Sequence, residues 1–242
     1  MCTVSFIPAG NRVFITHNRD EKSSRSKAIP PKEYSINGYR LLFPKDSHAG
    51  GTWIACTAEG QAAVLLNGAF TPHQQQPAYR KSRGLVFLDF VASPDITAGY
   101  SNIDLQGIEP FTIILWTGRQ LFECRWDGQQ KHVTAPDAAL AHTWSSATLY
   151  DASIISKRKS WFQQWLQQHP QPGMEDAIQY HLHAGDGDPQ NNLCMNRHGQ
   201  LLTVSITAME ISCTGSSMHY LDLQNNTRST QYLNFTKAAA LQ

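Results

Sequence analysis

Short β-patterned runs closed by turn residues fill both ends of this chain, and helical periodicity is confined to three stretches between them. That order limits the fold more than any other feature. Residues 2–8 are rich in β-formers, Ala9-Gly10-Asn11 supplies turn chemistry, and Val13-Phe14-Ile15-Thr16 resumes the β pattern, which predicts an N-terminal hairpin. Residues 19–38, polar and carrying Pro30-Pro31, read as a loop. Residues 52–57 and 61–67 form a second hairpin about Ala58-Glu59-Gly60, and Gly50-Gly51 ahead of it permits close approach of another segment. A helix is expected over 82–93. A three-strand meander follows over 111–116, 120–126 and 131–134. Asp151 reads as the N-cap of a long helix stopped by His169-Pro170, with Ile154, Ile155, Trp161, Phe162, Trp165 and Leu166 on one face. On that reading Lys157-Arg158-Lys159 is a solvated face. A further helix over 174–183 precedes strands at 201–211, 218–223 and 230–235. Strands, helix, strands, two helices, strands predict an α+β fold, a four-layer αββα sandwich of two antiparallel sheets face to face with helices outside.

No Pro/Gly/Ser-rich linker or charge run divides the 242 residues, so one domain over 1–242 is expected. The 41% hydrophobic and 16% charged content supports a packed core. A net charge of +1 provides no field to recruit nucleic acid or an anionic membrane. The five cysteines include no C-x-x-C pair, which argues against a disulfide framework or a zinc knuckle. No basic n-region followed by an apolar h-region opens the chain, and its apolar runs fall far short of the ~20 residues of a membrane span. A reducing, cytoplasmic setting is therefore expected, in which thiols stay free.

Chemistry is concentrated near the N-terminus. Removal of Met1, which a small second residue permits, would give Cys2 both a thiol and a free α-amino group, nucleophile and base on one residue. The amine titrates at roughly 7.7–8.0 and the thiol at roughly 8.5, close enough for useful proton exchange near neutrality. The competing reading is that Cys2 simply opens a buried strand. The hairpin returns Asp20 toward Cys2, where a carboxylate would orient a terminal ammonium, with Arg19 beside it. Asn67, closing the second hairpin, has a side-chain amide suited to an oxyanion hole. Each also has an ordinary explanation as a turn or strand-end residue. His181, His183, Asp186 and Asp188 match neither the i,i+4 metal pair nor a calcium loop, so no metal is expected there. The Trp161/Phe162/Trp165 stripe reads as core.

Met1-Cys2, then Asn18-Arg19-Asp20-Glu21, then Gly50-Gly51-Thr52-Trp53-Ile54 with a strand ending in Asn67, resemble the NRDE family, which includes the transport-and-Golgi-organisation proteins. The resemblance is densest over the first third. Further on, Ser145-Ser146-Ala147 stands where relatives have Ser-Asn-Ala, and Asn192–Arg197 followed by Thr203-Val204-Ser205 looks like a bacterial version. The family in turn is similar to N-terminal nucleophile hydrolases of the choloylglycine hydrolase and penicillin V acylase group. That likeness implies Cys2 as nucleophile, Asp20 as the holder of its amino group and Asn67 as the oxyanion-hole asparagine. It also brings Asn18, Trp53, Ser146 and Arg197 forward as substrate-binding residues. Three departures stand out: His17 occupies an arginine position, Ser146 replaces a second asparagine, and Arg197 is the one candidate for a late arginine. The implied activity is hydrolysis of a non-peptide amide without a cofactor. The alternative is a non-catalytic carrier of a hydrophobic ligand, with haem or acyl-CoA as the molecule handled.

Overall fold

The computed structural model describes residues 2–236. The expected removal of Met1 therefore lies outside the described residues. Strand β1 (Cys2–Ala9) turns at Gly10 into β2 (Arg12–Lys22), and their register pairs Cys2 with Arg19 and Val4 with His17. The expected loop over 19–38 is a correction. The structure runs β2 on to Lys22 and adds β3 (Ile29–Ile36) and β4 (Tyr39–Lys45). Pro30 and Pro31 are tolerated because β3 is an edge strand, and the register slips between Ile29 and Lys32 where the prolines cannot donate. The second hairpin is β5 (Ile54–Thr57) and β6 (Ala62–Asn67).

Helix α1 (Arg83–Val91) is followed by α2 (Ile96–Asn102), a short helix capped by Asp95 that hydrophobic periodicity did not reveal. The meander is β7 (Phe111–Trp116), β8 (Leu121–Trp126) and β9 (Lys131–Thr134). Strand β10 (His142–Ser145) leads to α3 (Ala152–Gln168), capped by Asp151 as expected, and α4 (Met174–His183). The short β11 (Asn196–Arg197), β12 (Leu201–Ile211), β13 (Gly215–Asp222) and β14 (Thr227–Asn234) complete the described chain.

The strands form two antiparallel sheets. One runs β10-β1-β2-β12-β13-β14 with β11 on β12, and the other runs β3 through β9 in order. Period-2 alternation divides their residues between layers. Val4, Phe6, Val13 and Ile15 join the core that includes the facing sheet, whereas Ile7 and Phe14 pack outward on Phe162, Ala177 and Tyr180 of α3 and α4. Helices α1 and α2 cover the outer face of the second sheet through Val86, Phe87, Phe90 and Ile96. The αββα layering is thus present. No helix among the described residues is long and apolar enough to cross a membrane.

Arg158 corrects the solvated-face reading of α3. It is 1% exposed, lies with its guanidinium 3.6 Å over the Tyr150 ring, and donates to Thr3 Oγ1 and to the carbonyls of Asn191 and Asn192. Its spacing from Ile154, Ile155, Trp161 and Phe162 puts it in the buried stripe, where a long side chain reaches through the layer to carbonyls that need donors.

Candidate active site

The two sheets meet at a cleft of about 360 Å³ lined by Cys2, Arg19, Trp53 and Asn67, with Arg83 and Glu109 opposite. Each arrives for a local reason. Cys2 begins an interior strand, and alternation puts it on the same face as Arg19. Asn67 ends β6, where Gly68 at φ +80 reverses the chain. A Cβ there would stand 2.7 Å from Thr148, so only glycine lets the 147–148 segment close in. Arg83 is the first residue of α1. That helix seats against the segment before β5 because Gly51 and Gly84 meet without side chains, a Cβ on Gly51 falling 2.5 Å from the Gly84 carbonyl carbon.

Ser146 does not line the cleft but ties its walls together. Its N–H donates to the Cys2 carbonyl at 2.9 Å, and its Oγ donates to the Asn67 carbonyl at 2.7 Å. One buried residue thus fixes the nucleophile candidate on one sheet relative to the amide candidate on the other.

Asp20 occupies the opposite face of β2. Its Oδ1 accepts from Thr203 at 2.6 Å and its Oδ2 from the Tyr150 hydroxyl at 2.9 Å. It follows Arg19, the register partner of Cys2, so its backbone N–H reaches the Cys2 thiol while its carboxylate turns to the far face. Burial raises its carboxyl, opposed by Arg158 and by the Thr203 hydrogen bond. Burial likewise pushes the Cys2 thiol up, and the Asp20 backbone N–H works against that rise. Cys56 and Cys124, pushed up to about 12 by burial away from the cleft, are packing residues by comparison.

Arg19 stacks 4.5 Å over the Trp53 ring and donates to Asp46 at 3.3 Å. Burial raises the Asp46 carboxyl, but hydrogen bonds from the Ala49 N–H and Arg25 outweigh it and hold the group below its ordinary value. Arg83 reaches Glu109 at 3.0 Å and the Pro110 carbonyl at 3.2 Å.

Of the other residues expected to bind substrate, Trp53 lines the cleft. Asn18 does not: alternation turns it outward, where it donates to the His181 and Leu193 carbonyls and meets His181 Nδ1 at 2.6 Å. Arg197 also lies away from the cleft, bonded to the Gln190 and Leu149 carbonyls beside Tyr150. His17 is fully buried next to Val4, and neither ring nitrogen meets a partner among the described residues. No group of three or more His, Cys, Asp or Glu side chains converges among the described residues. The His181-to-Asp188 segment is dispersed, with His181 on Ser5 and Asn18 and Asp186 on Lys157.

Arg83, Asp46 and Glu109 were not foreseen. Arg83 carried a usable signal: a cation in the first turn opposes the helix dipole, so its presence after Ser82 asks for a local reason. Asp46 and Glu109 sit in loops with no pattern that distinguishes them.

This layering of two facing antiparallel sheets between helices is an N-terminal-nucleophile-hydrolase-like fold, as superposition on solved structures shows. Conjugated bile acid hydrolase from Clostridium perfringens, in its C2A variant, superposes with a TM-score of 0.61 at 8% identity over 98% of this chain and 97% of that one. The Caenorhabditis elegans N-acylethanolamine-hydrolyzing acid amidase ortholog gives 0.57 at 13% over 86% and 92%, and penicillin V acylase from Agrobacterium tumefaciens gives 0.55 at 11% over 98% and 87%. At such identities the likeness is one of fold. Residues 1–219 match the family described as Transport and Golgi organisation 2, and the chain belongs to that family. Comparison with curated proteins finds no match.

Proposed function

We propose that the protein is an amidohydrolase acting on a non-peptide C–N bond of a small molecule, with Cys2 as an N-terminal nucleophile once Met1 is removed. The observation that carries this reading is the Ser146 bridge, which holds Cys2 and Asn67 at one cleft from two different sheets.

In this mechanism the freed α-amino group takes the thiol proton, and the sulfur attacks the amide carbonyl to form a C–S bond. The tetrahedral oxyanion is met by the Asn67 side-chain amide and a backbone N–H, a contribution of about 3–4 kcal/mol per donor in comparable sites. Collapse breaks the C–N bond, and the ammonium returns its proton to the departing amine. Water then attacks the thioester, giving one proton to the amino group and through it to sulfur, and the carboxylic acid leaves. Asp20, which follows the register partner of Cys2 on β2, orients and stabilises the ammonium in this mechanism, and Arg19 lines the cleft. A thiol raised by burial has little spontaneous thiolate, so this chemistry depends on that internal base. The fold neighbours, each named as a hydrolase, amidase or acylase, lend support at the level of reaction class.

The test combines intact mass of the natively expressed protein with a screen of small amides. Loss of Met1, an acyl adduct on Cys2 and at least a ~10³-fold drop in turnover for Cys2→Ala are expected, since a nucleophile acts with its partners as one unit. Retained Met1, or turnover that survives Cys2→Ala, overturns the proposal.

A further inference from the structure

The cleft's hydrogen-bonding capacity is lopsided. Its acids are already engaged. Asp46 Oδ1 accepts the N–H groups of His48 and Ala49 at 3.0 and 2.7 Å, and Oδ2 accepts Arg19 and Arg25 at 3.3 and 2.9 Å. Glu109 offers one oxygen to His73 at 3.2 Å and the other to Arg83 at 3.0 Å. Glu21 accepts the Lys22 N–H with one oxygen and turns the other to Arg25 and Arg19, 3.7 and 3.8 Å away.

Donors remain in surplus. A guanidinium has five N–H groups. Among the described residues Arg19 uses its Nη2 alone, and Arg83 leaves Nε without a partner. The Asn67 side-chain amide has no acceptor among the described residues. Ser82 makes no side-chain cap and no acid stands in the first turn of α1, so that helix brings uncapped N–H groups to the cleft at Ser82, Arg83 and Gly84. Apolar lining is sparse, essentially Ala49, Trp53 and Leu65, and the volume lies at the small end of ligand pockets, roughly 300–1,000 Å³.

We infer that this cleft selects a short amide that carries a carboxylate, in the manner of an N-acyl amino acid with a small acyl group, the carboxylate binding at Arg83 and the N-terminus of α1. The inference rests on the reading of Cys2 as the nucleophile for the choice of an amide, but the anion preference rests on the donors alone. A carboxylate supplies the acceptors that the site lacks, and a guanidinium receives it in a forked pair. A long acyl chain or a steroid would find little apolar surface to cover.

The experiment titrates Cys2→Ala protein calorimetrically at low salt with N-acetylglycine, with N-acetylglycinamide, and with N-decanoylglycine. N-acetylglycine is expected to bind about tenfold or more tightly than its uncharged amide, the scale of one charge-assisted forked contact. Arg83→Met is expected to abolish that preference, bringing the affinity for N-acetylglycine down to that for the amide. Decanoylglycine gains nothing over acetylglycine. Equal affinity for the charged and neutral ligands, tighter binding of the decanoyl compound, or no binding by any of them overturns the inference, and these readings on unsubstituted Arg83 do not depend on how the variant folds. Turnover of the same ligands by the protein with Cys2 intact is read separately. Carboxylate-selective binding without turnover would count against hydrolysis and leave the ligand class standing, whereas turnover of neutral amides alone would do the reverse.

Discussion

Ser146 spends its two donors on the Cys2 and Asn67 carbonyls, and that determines what its loss does. In Ser146→Ala the backbone bond to Cys2 persists while the Asn67 carbonyl loses a donor, for about 1 kcal/mol of stability by urea unfolding. Turnover should fall more steeply than stability, because Asn67 is released from its register with Cys2. Arg158 is the opposite case, a buried cation whose donors serve Thr3, Asn191 and Asn192 on the helix side of β1. Arg158→Met should cost about 3 kcal/mol or more in chemical denaturation, since it strands carbonyls and removes the cation near buried Asp20. Residue identity and order brought Cys2, Asp20, Asn67 and Trp53 forward, and the fold gathers Cys2, Asn67 and Trp53 at one cleft while the Asp20 carboxylate bonds Tyr150 and Thr203 on the far face of β2. Asn18 misled because its neighbours carry the resemblance, while strand alternation, counted from Arg19, turns its side chain away.

At the scale of elements, the seating of α1 is the sensitive joint. Gly51→Ala would drive a methyl into the Gly84 backbone, 2.5 Å from its carbonyl carbon, and neither partner is a flexible side chain. A loss of about 1–3 kcal/mol is expected, read as a lower Tm, with weaker binding of any anionic ligand as Arg83 is displaced. The Gly50-Gly51 pair was readable as a close approach, but its partner was not, because the contact joins residues distant in sequence. The hairpins, the meander and the long helix were legible from periodicity and turn residues. β3, β4 and α2 were not. β3 is an edge strand with two prolines and a polar, mostly exposed pattern, and α2 is too short to show a period.

For the molecule as a whole, two neutral buried histidines set the acid limit. Burial holds His17 well below its ordinary value and takes His181 down to about 3. Below about pH 6.5 the unfolded chain therefore binds protons that the native state refuses, so stability declines as pH falls, by up to about 1.4 kcal/mol per pH unit for each histidine, and for His181 this continues to about pH 3. Asp20, raised by burial, acts with the opposite sign near its own titration. Urea melts from pH 7.5 to 4.5 should show the decline, and His17→Phe should flatten it by one histidine's share; a slope unchanged in that variant would count against a buried neutral His17.

The position of β1 between β10 and β2 also orders events in time. Cys2 is 4% exposed, and its carbonyl is bound by a residue 144 positions later in the chain. If a peptidase is to expose the Cys2 nitrogen, it meets a β1 whose Cys2 carbonyl is still unbound only while the segment bearing Ser146 is unmade or unfolded. With synthesis proceeding at roughly 5–20 residues per second, that interval lasts on the order of ten seconds. If processing misses it, the α-nitrogen that would serve as base stays tied up in an amide, and a thiol already raised by burial is left without its internal base.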